Sequence, residues 1–130
     1  MTTRQWCSLP ILGLAVLVVA GCGAVVVGAA AGAGAVAYVR GELKATEEAP
    51  LDDAVRATEA ALKDDLKFPI HSKEADAVSA RFTSETAAGK DIAINLKKTS
   101  PTLTEIRIRV DVFGDEDLSR LILDKIKKRL

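Results

Sequence analysis

Between Arg4 and Arg40 the chain carries no Asp, Glu, Lys or Arg, and that gap divides it more sharply than any other feature. An apolar run from Leu9 to Ala20 opens the gap, and a stretch of Ala, Gly and Val from Gly23 to Ala37 fills most of the rest. Neither piece has the polar and apolar alternation that gives a soluble fold both a core and a surface. A water-facing domain must therefore be built from the residues after Ala37. A short N-terminus with one basic residue, then an apolar run, then the small residues Ala20 and Gly21, is the layout of a secretory signal segment. The expected organisation is a signal peptide over 1–21, a small-residue tether over 22–37 and a folded domain over 38–130.

The run closes on Val19-Ala20-Gly21-Cys22. These residues resemble the bacterial lipobox: an aliphatic residue, a small one, Gly or Ala, then Cys. Small side chains let an extended strand enter a peptidase cleft, and a thiolate is the natural nucleophile toward a lipid donor. The resemblance implies cleavage between Gly21 and Cys22, acylation of the Cys22 sulfur by palmitate-like chains, and a partner in membrane lipid. Buried acyl carbons contribute about 0.8 kcal/mol each, and two or more chains hold a protein stably. Three other readings stay open: an ordinary signal cut after Ala20 that leaves Cys22 a free thiol, a retained membrane helix, and a structural cysteine. A span needs about 20 apolar residues, and the glycines at 23, 28, 32 and 34 weigh against one. Gly23, standing where some sorting signals carry Asp, implies the outer membrane in a two-membrane cell, with the domain facing the periplasm.

The 130 residues leave room for one domain after such processing. The 18 basic and 18 acidic residues balance, so the chain has no electrostatic footprint for nucleic acid. Cys7 and Cys22 are the only cysteines, which leaves none for a disulfide in the domain. Stability must come from the core.

Within the tether, Gly28-x3-Gly32 has the spacing that permits close helix approach in a membrane. It reads either as a small-residue spacer or as a self-associating, inserting segment. From Tyr38 to Thr46 the chain alternates, with Val39, Leu43 and Ala45 on one face, as in a half-buried strand. Pro50, Asp52 and Asp53 open a helix over 51–65 with Leu51, Val55, Thr58, Leu62 and Leu66 as its apolar stripe. Residues 67–73 hold Pro69 and suit a sheet edge. Three alternating segments, 78–85, 91–98 and 103–112, are joined by hairpin-length connections and predict an antiparallel meander. Gly114 and Asp115-Glu116-Asp117 open a last helix that buries Leu118, Leu121, Ile122, Ile126 and Leu130, and Lys125, Lys127, Lys128 and Arg129 close it. The expected fold class is α+β: a two-layer sandwich, a mostly antiparallel sheet of four to five strands with two helices on one face.

Candidate chemistry is sparse. His71 is the single histidine, and it falls on the face of its strand opposite Phe68 and Ile70. Without a second His or a domain Cys no zinc-like cluster can form from the usual ligands, so no metal or cofactor is expected. The carboxylates Glu47/Glu48, Asp52/Asp53, Asp64/Asp65 and Asp115 to Asp117 sit at helix ends and turns, where capping explains them better than acid/base catalysis does. Ser79, Ser84, Ser100 and Ser119 lack a nucleophile motif. The basic tail 120–129 and the acidic stretch 42–66 could serve one another within the fold. The outward sheet face, with Glu85, Lys97, Arg107 and Arg109, mixes signs and lacks aromatics for base stacking.

From Val36 onward the chain resembles a family of short bacterial lipoproteins known only as a domain of unknown function. The resemblance rests on the lipobox, on the Ala/Gly stretch running into Tyr38-Val39-Arg40-Gly41, and on Phe113-Gly114-Asp115-Glu116-Asp117-Leu118-Ser119. It implies location and fold, and no chemistry. The expected function is a non-enzymatic envelope lipoprotein that offers its domain to an envelope protein or component. The alternatives are a protein that inserts or oligomerises through Gly28 and Gly32, and a small ligand-binding or hydrolytic domain.

Overall fold

The structure is a computed structural model and describes residues 34–130. The expectations for Gly21, Cys22, Gly28 and Gly32 lie outside the described residues. Six strands and two helices follow in the order β1 Val36–Val39, β2 Glu42–Glu47, α1 Leu51–Ala60, β3 Ile70–Ala75, β4 Ser79–Glu85, β5 Asp91–Ser100, β6 Leu103–Val110 and α2 Glu116–Lys127. All pairings are antiparallel, in the spatial order β1-β2-β6-β5-β4-β3. Strands β4 to β6 form the expected meander, β3 extends it at the sheet edge, and α1 carries the chain from β2 to that far edge.

The sheet has six strands where four to five were expected, because the single strand read over 38–46 is a hairpin. Arg40 at φ 52° and Gly41 at φ 81° turn the chain between β1 and β2. Two consecutive left-handed residues match the right-handed twist of flanking strands. The turn also reverses the facing of Val39, which stands 56% exposed while Leu43 and Ala45 are buried. The sheet begins at Val36, within the stretch assigned to the tether. At the opposite edge β3 starts at Ile70, just after Pro69, and its register shifts between Ile70 and Ser72. That irregularity, with the charged Lys73 and Glu74, blunts the edge against pairing with another chain.

One face of the sheet carries the core. Leu43, Phe82, Ile92, Ile94, Leu96, Ile106, Ile108 and Val110 are buried there against the helices. Each buried Ile or Leu contributes about 1.5–3 kcal/mol. Helix α1 lies on this layer through Leu51, Ala54, Ala57 and Thr58, and continues into a single π-helical turn, Ala61–Asp65, in which Leu62 is fully buried. The alanines let the helix axis approach the sheet closely. In α2 the buried face is Ser119, Ile122, Leu123 and Ile126, an i, i+3, i+4, i+7 stripe. Leu121 and Leu130, expected in that face, are exposed because they fall off this stripe or beyond the helix end. Asp115 caps α2 by accepting the Leu118 N–H at 3.0 Å.

The hairpin turn and the β6–α2 connection pack together. A Cβ on Gly41 would stand 2.7 Å from the Phe113 carbonyl oxygen, and one on Gly114 would collide with the Gly41 Cα and the Tyr38 hydroxyl. Gly114 also sits at φ 83°.

Candidate functional site

Among the described residues no helix packs on the second face of the sheet. Cross-strand register lays its side chains out in rows. The central row runs Lys44, Arg107, Asn95, Arg81, Glu74 across β2, β6, β5, β4 and β3. Beside it run Glu42, Arg109, Ala93, Thr83 and Ser72 on one side, and Thr46, Glu105, Lys97 and Ser79 on the other. An open groove of about 700 Å³ follows the central row, lined by Arg81, Asn95, Lys97 and Arg107 and also by the carboxylates Glu42, Glu74 and Asp76.

Lys44 and Arg107 stand directly opposite one another, a repulsive pairing. Glu105 offsets it: its carboxylate takes the Arg107 Nε–H at 2.6 Å and pairs with Lys44 Nζ at 3.3 Å. Burial alone would raise the Glu105 carboxyl, but the hydrogen bond and charge of Arg107, aided by Lys44, outweigh it and hold the group below the usual carboxylate range. Arg81 donates its Nε–H to Asn95 Oδ1 at 2.8 Å. Among the described residues neither Arg81 nor Arg107 has a hydrogen bond to its Nη atoms, and Arg81 has no carboxylate partner.

The residues singled out from the sequence scatter. His71 sits on β3 at the register shift, on the uncovered face, with Nε2 3.3 Å from Glu85 Oε2 and both side chains about half exposed. Ser84 donates to the Pro69 carbonyl at 2.8 Å, Ser119 to the Asp115 carbonyl at 2.7 Å and Ser79 to Asp76 at 3.0 Å. Ser100 Oγ accepts the Thr102 N–H. These local bonds assemble no nucleophile and base. Among the described residues no three His, Cys, Asp or Glu side chains converge to hold a metal.

The acidic stretch and the basic tail do serve one another. Arg129 is bidentate on Asp65 at 2.7 and 3.0 Å, and the hydrogen bond it makes holds the Asp65 carboxyl below the usual range. Lys127 Nζ reaches Glu47 Oε1 at 3.5 Å. Glu47 departs from the capping role read for it: it is 7% exposed at the end of β2, and its Oε1 makes no hydrogen bond. Asp115 is held low by the Lys90 ammonium, at 2.8 Å, and by the Leu118 N–H. Glu59 is drawn down to about 2 by hydrogen bonds from Lys63 and then Lys73, a clamp between α1 and β3.

The alternation of the sequence places Arg107 and Lys97 on the outward face, but no single segment of it contains the row of Arg81, Asn95 and Arg107. The signal that finds it is register: the alternation in β4, β5 and β6 gives the outward positions, and only the hairpin lengths say which stand abreast.

Two sequence words that carried the family resemblance, Tyr38 to Gly41 and Phe113 to Ser119, meet in space at the Gly41–Gly114 contact. No curated protein matches the chain. A family described as a protein of unknown function, DUF3568, matches residues 7–129, nearly the whole length of the chain, and the chain belongs to that family.

Proposed function

We propose that the protein is an envelope lipoprotein, tied to membrane lipid through acylated Cys22, whose α+β domain is a non-enzymatic structural or interaction module. The observation that carries this reading is Val19-Ala20-Gly21-Cys22 at the end of the apolar run from Leu9. The fold is consistent with it in one respect: the chain enters the sheet at β1, so only residues 22–35 separate the anchor position from the domain edge. Among the described residues no helix is long and apolar enough to cross a membrane. The scattered serines and the solvent-facing His71 favour a binding module over a hydrolase. Outer-membrane placement facing the periplasm rests on Gly23 after the anchor.

Intact mass of the protein extracted from membranes tests the proposal. A mass equal to residues 22–130 plus acyl chains is the expected result, and an unmodified 130-residue mass would overturn it. The Gly28-x3-Gly32 spacing favours a second reading, self-association through the tether. Replacing both glycines by Leu would abolish assembly on that reading and change little on the first.

A further inference from the structure

Three neighbouring side chains on the uncovered sheet face, Arg81, Asn95 and Arg107, present free donors, and Glu74 closes the row beyond Arg81. Arg81 and Arg107 each spend Nε on a neighbour, on Asn95 Oδ1 and Glu105 Oε1 respectively. Those bonds fix the planes of the two guanidinium groups and leave their Nη donors free among the described residues. Asn95, between them in register, has its oxygen occupied by Arg81 and so presents its amide donors. Arg81 on β4 and Arg107 on β6 spring from backbone positions two strand spacings apart, about 10 Å. A planar fork suits a bidentate oxyanion.

We infer that this row binds a sugar-like ligand bearing two phosphate groups about 10 Å apart, one on the Arg81 fork and one on the Arg107 fork, with Asn95 donating between them. One energetic argument and two observations select that chemistry. Exposed single ion pairs contribute at most about 1 kcal/mol, so an open groove needs more than one multiply charged group, and phosphate supplies both charge and acceptor oxygens. Glu42 and Glu74, which line the groove together with Asp76, make no ion pair among the described residues, so they can accept hydroxyl donors and would repel a long polyanion. The groove, about 700 Å³, lies in the range of small-molecule sites. The inference is independent of the lipid anchor.

Isothermal titration of the full-length protein with fructose 1,6-bisphosphate, fructose 6-phosphate and inorganic phosphate tests it. The bisphosphate should bind about tenfold or more tighter than the monophosphate. Arg81→Gln and Arg107→Gln should each weaken it about tenfold, and Arg81→Lys should too, since it keeps the charge and loses the fork. Arg120→Gln on α2 should leave binding unchanged, and thermal melts of each variant check folding. The proposal is overturned if the wild type does not bind, if mono- and bisphosphate bind equally, or if folded Arg81 and Arg107 variants bind like wild type.

Discussion

Gly41 and Gly114 touch backbone to backbone, each with positive φ, at the point where the β1–β2 turn meets the chain between β6 and α2. The contact couples the edge hairpin to the start of the last helix, and no side chain fits between them. Gly114→Ala should therefore cost more than about 2 kcal/mol, combining backbone strain with a collision on main-chain atoms. Gly89→Ala is the control. Its φ is also positive, but the nearest atom to a new Cβ is the flexible Glu85 carboxylate at 3.6 Å, so only about 1 kcal/mol is expected. Urea unfolding midpoints of the two variants decide the point.

Lys127 and Arg129 close α2 in different ways. Arg129 has the better geometry, yet its partners Asp64 and Asp65 face water, so Arg129→Ala should cost less than about 1 kcal/mol. Lys127→Met strands the Glu47 carboxylate, which no hydrogen bond compensates, and should cost about 1–3 kcal/mol. A larger loss for Arg129→Ala than for Lys127→Met, measured by thermal unfolding, would refute the ordering.

Glu59 sets a pH dependence. Its folded pKa, about 2, lies below the ordinary 4.5, so its contribution is complete above the unfolded value and disappears as pH falls through the folded one. The stability gap between wild type and Glu59→Gln should hold at neutral pH and close between pH 4.5 and about 2. Chemical denaturation across that window measures it.

Replacing Cys22 by Ala should leave an unprocessed precursor that still carries residues 1–21, because the proposed cleavage requires the acylated thiol. Mass spectrometry of the membrane fraction reads the outcome directly.

The helices were legible because their stripes and end charges agree: Asp52 and Asp53 open α1, and Asp115 caps α2 at the residue the acidic triplet suggests. The meander was legible because Ile92, Ile94 and Leu96, and Ile106, Ile108 and Val110, alternate without interruption. The first hairpin was hidden by Arg40, a residue with no particular turn preference, held at φ 52° by the fold around it. The phase of α2 was blurred because Leu121 and Leu123 are chemically alike and packing buries one of them. The Arg81–Asn95–Arg107 row was hidden for a different reason. It is a property of three strands in register, and no single segment contains it.

Because the chain joins the sheet through its outermost strand, any pull on the N-terminal segment is borne by the edge pairing, whose four rungs join β1 to β2. The Gly34 N–H to the Thr46 carbonyl, at 2.7 Å, lies ahead of those rungs. Traction would therefore peel the hairpin before it strained the central strands, and the layer of Phe82, Ile94 and Ile108 would outlast the loss of its own edge.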